Sequence, residues 1–72
     1  MQAYIERMIE ERDALSVKIA KAEAYVQEHE EPHMRYAMTL LSQQILLMKA
    51  YENVLQLRID YATWGEEDTT SA

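Results

Sequence analysis

Three polar side chains occupy positions where a helical repeat otherwise places apolar residues: Arg12, Gln44 and Arg58. A guanidinium group matches the oxygens of a phosphate or a carboxylate, and an amide can hydrogen-bond to the edge of a base. One half of the molecule is expected to gather Arg12, Arg58, Tyr51 and Tyr4. A tyrosine ring offers a face on which a base can stack. These residue types indicate a site that binds a nucleotide-like anion.

The same polar residues also have a structural interpretation. An arginine at a core position costs free energy unless it is paired, and one buried polar group can fix the alignment of two helices. Arg12 could extend its head outward to Glu52, and Arg58 could reach an acid of a neighbouring subunit. The binding interpretation instead places these groups in a pocket that forms when copies of the chain come together, with Met48 as an apolar wall. Both interpretations stay open at this point.

Chemistries that make or break covalent bonds find no support in the sequence. The chain has no cysteine, and no serine has an evident histidine base with a third partner. It contains a single glycine and so no glycine-rich phosphate loop. Glu30 and His33 have the spacing of a carboxylate metal site, but they fall on a predicted turn and the spacing occurs once. We therefore expect no catalytic residues, no metal and no cofactor, and a protein that is not an enzyme.

Composition and charge restrict the class of protein further. Of the 72 residues, 49% are hydrophobic and 28% are charged, which predicts one small folded domain. Seven Lys+Arg against 13 Asp+Glu give a net charge of −6. This charge argues against binding of duplex nucleic acid, because such binding needs a basic face. The longest apolar run, Ile45 to Met48, is far below the roughly 20 residues that a membrane span needs.

Two helix breakers predict the organisation of the chain. Pro32 is tolerated only in the first turn of a helix, so it indicates the start of a second helix. Gly65 lies where a glycine commonly ends a helix. The sequence thus predicts an all-α fold, an antiparallel, coiled-coil-like two-helix hairpin. The predicted bounds are a hairpin domain over 1–65, with helices over 2–30 and 32–64, a turn at 30–32 and a disordered acidic tail over 66–72.

Apolar residues repeat in steps of three and four along both halves, as in coiled-coil packing. In the first half the row runs Ile5, Met8, Arg12, Leu15, Ile19, Ala22, Val26 and His29. In the second half it runs Met34, Ala37, Leu41, Gln44, Met48, Tyr51, Leu55, Arg58 and Ala62. Folding at the proline then predicts that Ile19 lies near Gln44, Leu15 near Met48, Arg12 near Tyr51, Met8 near Leu55, and Ile5 near Arg58. These rows are predicted to form the core.

The second half carries more apolar rows than one partner helix can cover. One additional row contains Tyr36, Leu40, Leu47, Val54, Leu57 and Tyr61, and another contains Met38, Ile45 and Ile59. A helix that is apolar on most of its circumference is normally buried on most sides, and soluble monomers rarely expose a long apolar patch. The sequence therefore predicts a homo-oligomeric helical bundle with the second helix at its centre. The predicted interface residues are Leu40, Leu47, Val54, Leu57 and Tyr61.

The second half has the pattern Leu40-Leu41-x-x-Gln44-x-x-x-Met48-x-x-Tyr51-x-x-Val54-Leu55-x-x-Arg58-Ile59. Upstream, Arg7-Met8-Ile9-x-Glu11-x-x-x-Leu15-x-x-Lys18-Ile19-x-Lys21 fits the same picture. Together these patterns resemble a family of small helical-hairpin proteins of tailed bacteriophages, including crAss-like phages. The resemblance spans roughly residues 4–60. Arg12 departs from the expected pattern, which has an aromatic or aliphatic residue there, so a shared role for Arg12 is in doubt.

The resemblance implies a phage protein that acts in the cytoplasm of the host bacterium. Small phage proteins of this general form include oligomeric sponges, which bind nucleotide second messengers of bacterial antiviral systems. By this analogy we expect a non-enzymatic counter-defence protein that sequesters a cyclic oligonucleotide or an ADP-ribose derivative. The expected ligand-binding residues are Arg12, Gln44, Tyr51, Arg58, Tyr4 and Met48. The alternative is an adaptor or inhibitor that binds a host protein through its apolar helix faces and acidic surface.

Overall fold

The computed structural model describes the backbone of residues 2–71 and the side chains of residues 2–64. Two long helices, α1 (Ala3–Glu28) and α2 (Arg35–Ser71), are joined by a connection that contains a short 3₁₀ turn, Pro32–Met34. The helices pack against each other in antiparallel directions, and the molecule measures 58 × 18 × 13 Å. The predicted all-helical hairpin is confirmed for this part of the chain.

Side chains at the end of α1 define where the helix stops. The backbone N–H of His29 donates to the carbonyl oxygen of Val26 at 3.3 Å, and His29 Nδ1 bonds to the carbonyl oxygen of Tyr25 at 2.8 Å. The imidazole also stacks on the ring of Tyr25, with centroids 3.9 Å apart. Because these bonds occupy carbonyl groups that a helix end leaves free, α1 ends at Glu28 and not at the predicted residue 30.

The connection turns the chain within a few residues, and Pro32 begins the next helical segment as predicted. Glu31 has extended backbone angles, which the residue before a proline favours. The backbone N–H of Met34 then donates to the carbonyl oxygen of Glu31 at 2.9 Å, closing the 3₁₀ turn. This short turn leads directly into α2 at Arg35 and returns the chain along α1.

The far end of α2 differs from the prediction. The helix continues through Gly65 to Ser71, whereas the sequence predicts a helix end at residue 64. A glycine in a helix interior costs only about 1 kcal/mol relative to alanine, so one glycine does not have to stop a helix. The side chains of residues 65–72 lie outside the described part of the chain, and the disorder of the acidic tail over 66–72 stays a prediction.

The row of α1 that faces α2 is the predicted one. Ile5, Met8 and Ile19 are buried, and every other member of the predicted row is partly buried. Most other side chains of α1 are exposed. α1 therefore has one apolar face, and packing against α2 covers it.

The row of α2 that faces α1 corrects the prediction at every second position. Ala37, Gln44, Tyr51 and Arg58, which were predicted to face α1, are exposed. The observed inner row consists of Met34, Met38, Leu41, Ile45, Met48, Glu52, Leu55, Ile59 and Ala62. The difference is one residue, or about 100° around the helix, at alternate positions. At three of these four positions methionine or isoleucine buries more apolar area than alanine, glutamine or arginine would, which favours this rotation. At the fourth position Glu52 is partly buried where Tyr51 was predicted.

The most enclosed part of the core lies at the end of the hairpin away from the turn. Ile5 and Met8 of α1 form one cluster with Leu55, Ile59 and Ala62 of α2, and Leu55 is 0% exposed. The clustering of Met8 with Leu55 agrees with the predicted register. Ile5 is clustered with Ile59, where the sequence predicted Arg58.

The face of α2 that points away from α1 is uncovered. It carries a second row in steps of three and four, here called the outer row: Tyr36, Leu40, Gln43, Leu47, Ala50, Val54, Leu57 and Tyr61. All of these side chains are exposed, and Tyr36, Leu47 and Tyr61 are 76%, 72% and 75% exposed. The five predicted interface residues all belong to the outer row, while the assembly itself stays a prediction. No helix within the described residues is both long enough and apolar enough to cross a membrane.

Replacing Leu55 by alanine tests the packing of the core. We expect L55A to lower the free energy of unfolding by about 2–5 kcal/mol, because the change removes apolar contacts and leaves a cavity. Urea denaturation followed by circular dichroism measures the effect. V17A, at an exposed position of α1, is the control and should change stability by less than about 0.5 kcal/mol. Equal effects of the two substitutions would contradict the described core.

Candidate functional site

Two edges run along the hairpin where the surfaces of α1 and α2 meet, and one of them is closed by hydrogen bonds around Arg12. Arg12 Nη1 donates to Gln56 Oε1 at 2.8 Å, and Gln56 Nε2 donates to Asp60 Oδ1 at 2.9 Å. Arg12 Nε and Nη2 donate to Asp13 Oδ1 at 3.2 and 2.9 Å. All three nitrogens of the guanidinium group are therefore engaged, and none bonds to Glu52, the partner suggested by the sequence.

The remaining polar groups on this edge are also paired with one another. Lys49 Nζ lies 2.6 Å from Glu23 Oε2, and the hydroxyl of Ser16 donates to the carboxylate of Glu52. The groove along this edge, here called the bonded edge, is lined by Arg12, Ser16, Lys49, Glu52, Asn53 and Gln56. Both cations of this edge have acidic partners, Arg12 within α1 and Lys49 across the helices. The bonded edge joins the two helices through the Arg12–Gln56, Ser16–Glu52 and Lys49–Glu23 interactions.

The opposite edge of the hairpin contains a bond between the helices, in which the hydroxyl of Tyr51 donates to the carboxylate of Glu11. One heptad away along both helices, the same register places Arg58 level with Tyr4. One heptad in the other direction, it places Gln44 level with Lys18. This edge, here called the open edge, consists of Tyr4, Glu11 and Lys18 on α1 and of Gln44, Tyr51 and Arg58 on α2.

The open edge leaves two cations available for a ligand. Lys18 and Arg58 are exposed, and neither forms an ion pair with a residue in the described part of the chain. The ring of Tyr51 is 44% exposed even though its hydroxyl is bonded, and the amide of Gln44 is exposed. A cation, an aromatic face and an amide are the groups that bind a phosphate, a base face and a base edge. The open edge therefore carries groups that can bind an anionic ligand that contains a base.

The six predicted ligand-binding residues divide between three places. Tyr4, Gln44, Tyr51 and Arg58 lie along the open edge, with Tyr4, Tyr51 and Arg58 in the half of the hairpin away from the turn and Gln44 nearer to the turn. Arg12 lies on the bonded edge, where it bonds to Gln56, whereas the hydroxyl of Tyr51 bonds to Glu11 on the opposite edge. Met48, the sixth residue, is partly buried in the inner row of α2. A binding role for any of the six stays a prediction.

Lys18 lies on the open edge and is not among the predicted ligand-binding residues. Lys18 follows Tyr4 and Glu11 at two successive intervals of seven residues, so all three belong to one row of α1. Gln44, Tyr51 and Arg58 also repeat at intervals of seven residues. This shared interval is the sequence signal that would have placed Lys18 beside them.

The region of the turn gathers a different set of groups, in which the acids Glu30 and Glu31 accompany the cation Arg35 and so make the surface less suited to an anion than the open edge. Two shallow grooves there share Val26, Ser42 and Leu46 in their walls. Among the residues that the structure describes, no three histidines or acids are arranged to hold a metal ion. The open edge is thus the stronger candidate site.

Comparison with known proteins adds one finding. The family model described as Sequestin matches residues 2–61 of the chain, which include the outer row of α2, the inner row except Ala62, and the whole of the open edge. No curated protein and no solved structure matches the chain.

A double-mutant cycle on Arg12 and Gln56 tests the structural role of the bonded edge. We expect R12A and Q56A to show a coupling free energy of about 1 kcal/mol, because each removes the same hydrogen bond. Urea denaturation of the two single variants and the double variant gives this value. A cycle on Arg58 and Gln56, which are not bonded to each other, is the control and should be additive. Additivity in the first cycle would show that Arg12 does not couple the helices.

Proposed function

The chain belongs to the Sequestin family, and from this premise we propose that it is a non-enzymatic sequestering protein for a nucleotide-derived immune signal. It binds a cyclic oligonucleotide or an ADP-ribose derivative and lowers the free concentration of that signal without any chemical step. The name of the family supports the sequestering role. The open edge supports the class of ligand, because Lys18, Arg58 and the ring of Tyr51 are the groups that such a molecule needs.

The observation that carries this proposal is the contrast between the two edges. The bonded edge saturates its cations with Asp13 and Glu23, while the open edge leaves Lys18 and Arg58 without acidic partners among the described residues. A structural role explains the first arrangement and does not explain the second. Exposed, unpaired cations beside an accessible aromatic ring support binding of an anion.

The net charge of −6 opposes the approach of an anion, but the effect is limited in range. At physiological salt the Debye length is about 8 Å, so distant carboxylates are largely screened. Groups in direct contact with the ligand then dominate, and Glu11 is the one acid on the open edge. Its carboxylate accepts a hydrogen bond from Tyr51, which fixes the position of the tyrosine.

The protein acts as a homo-oligomer in this proposal, and the outer row supplies the contact between copies. The row presents exposed tyrosine, leucine and valine side chains along the length of α2. Burying such side chains releases about 25 cal/mol per Å² of apolar surface, which favours association. The resemblance to proteins of tailed phages supports a setting in the cytoplasm of an infected bacterium.

Thermal melting of the purified protein with candidate ligands tests the proposal. The panel contains cyclic dinucleotides, cyclic trinucleotides and ADP-ribose derivatives. A ligand at 100 times its Kd adds about 2.7 kcal/mol to the stability of the folded protein, which raises Tm by about 10 °C or more for a chain of this size. R58Q should reduce the shift, whereas R7Q makes the same change of charge on the exposed side of α1 and should retain it. Absence of a shift with every member of the panel would refute the proposal.

A second candidate function is supported by the outer row alone. An exposed apolar row on a long helix can also dock against another protein, and the acidic surface could attract a basic host enzyme. This candidate predicts a chain that is monomeric by light scattering and whose melting no nucleotide changes. A monomer that nucleotides stabilise would exclude it as the main function.

A further inference from the structure

Glu11 is the one acid among the six residues of the open edge, and it lies at the middle of that edge. Its carboxylate accepts the hydrogen bond from the hydroxyl of Tyr51, across the boundary between the two helices. This bond holds a negative charge at the tip of a tyrosine that is 44% exposed. A ligand that stacks on the ring of Tyr51 is therefore brought close to a fixed carboxylate.

The two cations of the open edge lie on either side of Glu11 at equal intervals. Lys18 follows Glu11 by seven residues on α1, and Arg58 is level with Tyr4, which precedes Glu11 by seven residues. Seven residues of helix span about 10 Å, so each cation is displaced by that distance along the helix from the carboxylate. Within the part of the chain that the structure describes, Glu11 forms no ion pair. The protein therefore does not neutralise its charge.

This order of charges suits one kind of phosphate. A phosphate that bridges two groups carries a single negative charge, whereas a terminal phosphate carries about 1.5 to 2 charges near neutral pH. A nucleotide with its base on Tyr51 can direct a bridging phosphate to Lys18 or to Arg58, and either cation balances its single charge. The extra charge of a terminal phosphate has no cation to balance it, and Glu11 repels it.

We propose that Glu11 is the specificity-determining residue of the open edge, and that it favours nucleotides whose phosphates are all bridging over nucleotides that end in a terminal phosphate. This inference rests on the proposed function and narrows the class of ligand. Cyclic oligonucleotides and ADP-ribose contain bridging phosphates alone, whereas abundant linear nucleotides such as ATP end in a terminal phosphate. Sequestration of a scarce signal requires this discrimination, because an unpaired like charge at the site rejects the abundant competitor.

Two pairs of probes measure this selectivity, and the members of each pair differ by a terminal phosphate. One pair is a cyclic dinucleotide and its linear form with a terminal phosphate, and the other is ADP-ribose and ADP-ribose 2′-phosphate. Calorimetry gives the Kd of each probe for the original chain and for E11Q. The E11Q substitution removes the charge but keeps an oxygen that accepts the bond from Tyr51, so the ring stays in position.

We expect E11Q to reduce the preference for the bridging member of a pair by about three- to tenfold, because it removes the repulsion between two nearby charges. E28Q is the matched control. It makes the same change of charge at an exposed residue of α1 about 25 Å from Glu11, several Debye lengths away, and should leave the preference unchanged. Circular dichroism should show that both variants remain helical.

The other outcomes separate this inference from the proposed function. An unchanged preference in E11Q, with binding retained, would overturn the role of Glu11 and leave sequestration intact. Equal weakening of both members of a pair would also overturn it, because Glu11 would then act only by holding Tyr51. A matching change in E28Q would show that the net charge of the molecule causes the preference. Failure of the original chain and of E11Q to bind any of these probes would refute the proposed function and the selectivity together.

Discussion

The packing of α1 against one face of α2 is the constraint on which the rest of the structure depends. α1 has a single apolar face, and that face packs against the inner row of α2, where Leu55 is fully buried. α2 has apolar residues on two opposite faces, and α1 covers only one of these faces. This imbalance between the two helices leaves the outer row exposed.

The two edges of the hairpin follow from the same packing. Packing of the inner rows brings the neighbouring residues of both helices side by side. The types of these residues determine which hydrogen bonds form along each edge. Along the bonded edge Arg12, Gln56 and Asp60 satisfy one another. Along the open edge Tyr51 is positioned by Glu11 while Lys18 and Arg58 keep their donors available. One edge stabilises the hairpin, and the other has the groups to recognise an anionic ligand.

The sequence predicted the hairpin because its signals are local: a single proline at the turn and one clear apolar row in α1. It misassigned the core of α2 because three apolar rows compete there, and a heptad count fits more than one of them. Gln44 and Arg58 were predicted to interrupt the core of α2, whereas both are exposed and Glu52 is the polar residue of the inner row. The partner of Arg12 could not be predicted either, because the choice between Gln56 and Glu52 depends on how the two helices rotate about their axes.

The inner row, the outer row and the open-edge residues Gln44, Tyr51 and Arg58 lie on separate sides of α2. A repeat of seven residues keeps each set on its own side of the helix. A substitution on the open edge therefore changes the groups presented there without disturbing the inner or the outer row. Exchanges at Gln44, Tyr51 or Lys18, which are all exposed, alter the chemistry of this edge while the packing of the two helices is retained.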